Sequence, residues 1–271
     1  MRAFAFSASQ APVVDGDLTD WELVGPAHTI ETSMFRDLVN DASIDAADFS
    51  VVLMTGWCDE LNRIYIAAEV RDDLHQIDRP SGSAATLVWQ DDAMEIFVDA
   101  DHSGGQYANF TGVSEEEGQR MNGAGASHFV IAGPHPDGDF FINFSAAGWY
   151  AQESGSFTAA AFDLEGERGD ATVMRYEFMI VPFDRIDISG DFLSDPHDLT
   201  AGEILGLNLE FDDYDSRSDL LDAKWSLSGG FNSPVLSERF TDLQLDFPPA
   251  TTVAESRSWG RIKASFSGGG K

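Results

Sequence analysis

Short runs of alternating apolar and polar residues, separated by Gly, Asp, Asn and Ser, recur along this chain and point it towards a β architecture. The clearest are Phe49–Thr55, Arg63–Val70, Ala93–Asp99, Ser127–Ile131, Phe140–Phe144, Thr172–Ile180, Ile204–Phe211 and Phe240–Phe247. Successive side chains of a strand point to opposite faces, so Met94, Ile96 and Val98 share one face while Glu95, Phe97 and Asp99 share the other. In ILGLNLEF the same rule groups Leu205, Leu207, Leu209 and Phe211 against Asn208 and Glu210. Helical periodicity is weak: Arg36–Ala47 has room for one or two turns, and VPFDRIDI after Ile180 could start a short helix, but neither carries a core stripe. Roughly ten short strands with polar turns read as an all-β fold, an antiparallel two-sheet β-sandwich with a jelly-roll-like layout.

The 271 residues show no interdomain linker. The expected division is an N-terminal extension over 1–10, one domain over 11–266 and a flexible tail over 267–271. Against 16 Lys+Arg stand 47 Asp+Glu, a formal charge of −31. Nucleic acid and anionic membrane surfaces would be repelled, which leaves neutral ligands, cations or basic proteins as partners. No run approaches the roughly 20 apolar residues of a membrane span, so no membrane insertion is expected. Cys58 is the only cysteine and rules out an intrachain disulfide. A secreted or extracytoplasmic location is compatible with these features, although no signal segment is visible at MRAFAFSASQAPVV.

Catalytic signatures are missing: there is no G-x-S-x-G, no P-loop and no dinucleotide fingerprint, and Cys58 has no dedicated His in view. The six histidines form no H-x-H or H-E-x-x-H pair, which argues against zinc. Hard oxygen ligands, in contrast, cluster at Asp99, Asp101 and Ser103, at Asp212, Asp213 and Asp215, and at Asp15, Asp17 and Asp20. Calcium takes about 6–8 oxygens, and carboxylates two residues apart in a turn can share one ion. Calcium is therefore the expected metal, with Asp99, Asp101, Ser103, Asp212, Asp213 and Asp215 as its candidate ligands. Two long loops, Asp101–Ala126 and Asp187–Gly202, are longer than simple connections require.

Four motifs occur in a recognisable order: Asp15-Gly16 with Trp21; Trp57, Asp59, Ile64-Tyr65, Val70 and Asp72; Trp89, Asp92 and Glu95–Asp99; and Gly206, Asn208, Asp212-Asp213 and Trp225. From about Ala11 to Phe247 the chain resembles family-9 carbohydrate-binding modules and their wider DOMON-like superfamily. The resemblance implies a calcium-bearing β-sandwich that binds sugar chain ends without catalysis, often beside other domains of a larger secreted protein. It implies Trp89 as a platform for a sugar face and Glu95 as a carboxylate for its hydroxyls. The second stacking position falls in SGGFNSPVLSERF, where Phe231 is the available aromatic and Asn232 stands beside it. The strand HFVIAG reads apolar where the resemblance would place a basic side chain and an amide. Two other functions stay open: a structural or adhesion module without a sugar ligand, and a haem-binding electron-transfer subunit with Met94 and Lys224 as axial candidates.

Overall fold

The computed structural model of the chain describes residues 1–42, 44–80, 85–135, 138–143, 147–215 and 220–248. The expected tail at 267–271 lies outside them. The described residues are mostly β. The strands are β1 (Arg2–Ala5), β2 (Thr29–Glu31), β3 (Arg36–Asp37), β4 (Phe49–Cys58), β5 (Arg63–Asp72), β6 (Ala93–Asp99), β7 (Ser127–His135) and β8 (Gly138–Asn143). They continue as β9 (Thr158–Glu165), β10 (Thr172–Ile180), β11 (Phe183–Arg185), β12 (Asp195–Pro196), β13 (Ile204–Asp213), β14 (Ala223–Ser226) and β15 (Thr241–Leu245).

The main path runs β8-β7-β6-β13-β15-β1-β4-β5-β10-β9, with β14, β3 and β2 attached at its side and β11-β12 as a separate pair. Its two halves face one apolar core. Phe129 of β7 meets Phe178 of β10 at 5.1 Å between ring centroids, and Phe49 of β4 meets Phe211 of β13 and Trp225 of β14 at 5.7 Å. The inward sets expected from alternation, Met94–Ile96–Val98 and Leu205–Leu207–Leu209–Phe211, are all in that core.

The two-sheet, wholly antiparallel arrangement needs correcting at β1. Residues 2–5, expected in an extension outside the domain, pair in parallel with β15 through Arg2 and Ala3 and in parallel with β4 through Phe4 and Ala5. One strand switching partners in this way makes the corner between sheet halves and joins them into a single hydrogen-bonded sheet. Four residues carry too little alternation to reveal such a strand.

The helix expectations also shift. The segment after Ile180 forms β11, and the Arg36 segment begins as β3. The one α-helix among the described residues is α1 (Glu115–Met121), inside the long loop. Ser114 caps it by accepting from the Glu117 N–H, and three Glu residues sit in its first turn against the positive end of the helix dipole.

Glu177 of β10 latches the Asp15-Gly16…Trp21 motif. Its carboxylate accepts the N–H groups of Asp15 at 2.9 Å and Gly16 at 2.8 Å, and the Trp21 indole N–H at 2.8 Å. Gly16 sits at φ +88° with its missing Cβ 2.8 Å from the Phe162 backbone, so no other residue fits that turn without movement.

Candidate functional site

On the outer face of β6, away from the core, alternation leaves Glu95 and Phe97. Antiparallel pairing sets Glu210 of β13 opposite Glu95, and His128 of β7 opposite Phe97. Lys224 of β14 pairs with Asp212 of β13. Glu95, His128, Glu210 and Asp212 are buried and form one ionic network with the partly exposed Lys224. Lys224 Nζ donates to Glu95 Oε1 at 2.9 Å and Asp212 Oδ1 at 2.6 Å, and lies 3.4 Å from Glu210 Oε2. His128 Nε2 lies 2.8 Å from Glu95 Oε2, and its ring stacks on Phe97 at 4.1 Å.

Burial alone would push Glu95 upward, yet Lys224 and His128 together hold its carboxyl well below the usual range. Burial raises Asp212 and Glu210 despite the same ammonium, and the three carboxyls hold Lys224 well above the usual lysine range. The network therefore keeps Glu95 ionised, while Asp212 and Glu210 retain protons to higher pH.

A cavity of about 400 Å³ opens over this network. Trp89, Glu95, His128, Asp212 and Lys224 line it together with Ala108, Asn109, Asn122, Leu221 and Pro234. Trp89 sits in a 3-10 turn (Ala85–Gln90) and is 40% exposed. The Tyr214 hydroxyl donates to its carbonyl at 3.0 Å, and the Tyr214 N–H donates to Asp92 Oδ1 at 2.8 Å, which fixes the turn before β6. Asn109 and Asn122 come from the long loop. That loop is tied to the segment after Phe231: the Tyr107 N–H donates to the Val235 carbonyl at 3.0 Å and the Tyr107 hydroxyl to the Ser233 carbonyl at 2.7 Å.

Trp89 and Glu95 thus border one cavity, 33 residues being spanned by the Glu95–His128 contact. Phe231 and Asn232 do not line it. Phe231 is 67% exposed, and Asn232, at φ +74°, accepts the Val235 and Leu236 N–H groups through its carbonyl. Asn208 is fully buried below the site, donating to Glu210 and accepting the Ser228 N–H. HFVIAG supplies one basic side chain to the cavity, His128, placed outward by alternation with Phe129. Lys224 carries no motif of its own, and only the β13–β14 pairing brings it here. That pairing also separates it from Met94, which faces the core, so the two do not converge on one haem iron.

The expected metal ligands fall in two places. Asp99 pairs with Gly206 and Asp212 with Ala93, at opposite ends of the β6–β13 pair, about 20 Å apart at the usual rise per residue. At one end Asp99 accepts the Ser103 and Gly104 N–H groups and Asp101 accepts the Ser103 N–H, which closes a turn. At the other end Asp212 turns to Lys224, whereas Asp213 and Asp215 meet Asp72, their carboxylate oxygens within 4.8 Å of one another. Asp215 also meets Asp48 and Asp73 within the same distance. No lysine or arginine among the described residues pairs with these five. Burial, then repulsion from a neighbouring carboxylate (Asp92 for Asp72, Asp72 for Asp213, Asp48 for Asp215), raises Asp72 to about 7, Asp213 to about 8 and Asp215 to about 7. Two carboxylate triads that share Asp215, whose Oδ1 has no hydrogen-bond partner, suit a hard divalent cation.

Among known proteins, no family model matches this sequence, and no curated protein matches it. Solved structures do. A family-9 carbohydrate-binding module from Caldicellulosiruptor kristjanssonii, in complex with cellotriose, is 16% identical with a TM-score of 0.58 and is covered over 97% of its length by 93% of this chain. A structure of a family-9 module from the same organism in complex with glucose is 14% identical with a TM-score of 0.59, covered over 98% by 94% of this chain. The fold is that of a family-9 carbohydrate-binding module. This family-9-like fold spans nearly the whole chain, and among its described residues no helix is long and apolar enough to cross a membrane.

Proposed function

We propose that this chain is a non-catalytic carbohydrate-binding module whose ligand enters the cavity beside Trp89. The observation that carries the reading is the cavity itself: an aromatic at its edge, an ionised carboxylate and an ammonium at its floor, and two amides on its rim, in a fold otherwise seen with glucose and cellotriose. A pyranose ring presents C–H groups on its faces and hydroxyls around its edge. Trp89 takes a face, contributing about 1 kcal/mol beyond its buried area. Glu95 accepts from ring hydroxyls, Lys224 donates to them, and Asn109 and Asn122 do either. The volume falls within the roughly 300–1,000 Å³ of small-ligand sites and suits one or two sugar rings. Phe231 and Asn232, on the neighbouring exposed segment, serve a longer chain that leaves the cavity. Such a site binds in the millimolar to micromolar range.

Calcium is the structural cofactor of this reading. Asp48, Asp72, Asp73, Asp213 and Asp215 would hold it and so join the start of β4 to the ends of β5 and β13. The module would act outside the cytoplasm, where polysaccharide is met, alone or beside other domains.

Calorimetry with glucose, cellobiose and cellotriose tests the sugar reading. Binding should be measurable in wild type and lost in Trp89→Ala with its melting temperature unchanged. A glycan array without any hit, together with a melting temperature that chelators lower and no sugar raises, would instead favour a structural module.

A further inference from the structure

The sheet end that carries the acidic cluster also encloses a smaller, drier site. Asp72 closes β5, His75 follows it in the turn, and Asp92 stands just before β6; all three are more than nine-tenths buried. His75 Nε2 lies 3.0 Å from the Gly133 carbonyl, which can only accept, so Nε2 carries the proton. The ring's Nδ1 faces Asp92 Oδ2 at 3.4 Å and Asp72 Oδ2 at 4.0 Å. An imidazole held by a backbone carbonyl at one nitrogen, with the other turned to carboxylates, is how proteins orient a metal-ligating histidine. Ligand atoms about 2.0–2.2 Å from a tetrahedral ion lie roughly 3.3–3.6 Å apart; the His75–Asp92 separation of 3.4 Å fits that range, and Asp72 at 4.0 Å would have to draw in by a few tenths of an ångström.

A second observation comes from the neighbouring strand. Thr172 of β10 stands opposite Asp72, is 5% exposed, and its hydroxyl has no hydrogen-bond partner. It borders the same cavity of about 10 Å³ as Asp72, His75 and Asp92, room for one water-sized sphere. Phe49, Val70, Met174, Tyr176 and Phe211 supply apolar walls.

We propose that Asp72, His75 and Asp92, with the Thr172 hydroxyl, bind one first-row divalent cation of the zinc class, in a site separate from the all-oxygen cluster. The imidazole nitrogen favours such an ion over calcium, which prefers oxygen throughout. Asp72 belongs to both groups and would bridge them. The inner ion ties the turn after β5 to the starts of β6 and β10.

The test uses the full chain, stripped with a chelator, loaded with zinc in excess calcium and dialysed. One equivalent of zinc should remain by elemental analysis, and X-ray absorption should show one imidazole nitrogen among its ligands. His75→Gln should lose that equivalent while keeping calcium, and Thr172→Val should weaken zinc retention by about 10-fold. Zinc lost to calcium, zinc retained equally in His75→Gln, or an all-oxygen shell would overturn the proposal. Should His75→Gln fail to fold, the wild-type absorption spectrum decides alone. Zinc retained in a protein that takes up no calcium would sink only the calcium reading.

Discussion

In Lys224→Met the ammonium facing Glu95, Glu210 and Asp212 is replaced by an apolar side chain of similar reach. Lys224 is 17% exposed and the three carboxyls are 5% or less, so water reaches little of what is left behind. Removing one partner of a buried ion pair costs about 3–5 kcal/mol, and here several acids lose the same cation. In the wild type, Glu95 has a folded pKa below its unfolded value. Its contribution is present above about pH 4.5 and is lost as pH falls through the folded value. Without Lys224, Asp212 and Glu210 titrate still further above their unfolded values, and Glu95 loses the larger of the two charges that hold it down. The folded state then binds more protons than the unfolded state between about pH 4 and those raised values, and stability falls as pH rises. We expect a loss of about 4 kcal/mol at pH 8 and a loss smaller by about 1–2 kcal/mol at pH 5, read by urea denaturation with tryptophan fluorescence. Adding Glu95→Gln to Lys224→Met should recover part of the loss. A cost below about 1 kcal/mol, equal at both pH values, would refute the electrostatic account of the site.

Three further outcomes follow from the same geometry. Trp89→Ala, at a 40% exposed position, should leave urea stability within about 0.5 kcal/mol while removing calorimetric sugar binding; a large stability loss would mark Trp89 as packing. Glu177→Ala strands three N–H donors and should cost about 3 kcal/mol, seen as a fall of about 10 °C in calorimetry; an unchanged melting temperature would contradict the latch. In chelator, the raised Asp72, Asp213 and Asp215 make the folded state the tighter proton binder. Thermal stability should therefore fall from about pH 4 through pH 8, and millimolar calcium should flatten that slope; parallel curves with and without calcium would argue against the cluster as a cation site.

Some of this molecule is written locally. Period-2 alternation named the inward residues of β6 and β13 correctly, because burying one face of a strand is a property of the strand itself. Ser114 followed by Glu117 announces the cap of α1, a signal hidden by a loop otherwise rich in Gly and Ser. Trp89 and Glu95 are singled out by the family resemblance alone; they flank the start of β6 and line one cavity. Other features depend on register between distant segments. β1 is too short to show a pattern, and its place between β15 and β4 follows from pairing across the whole chain.

The site divides along the same line. A β architecture, the outward turn of Glu95 and a surplus of carboxylates need only composition and neighbouring residues. Long-range strand pairing sets which carboxylates meet. It sent Asp212 to Lys224 and His128 to Glu95, closed Asp99 and Asp101 into a turn, and gathered Asp72, Asp213 and Asp215 at one sheet end. A charge takes its role from the partners within a few ångströms, and those come from strands far away in the chain.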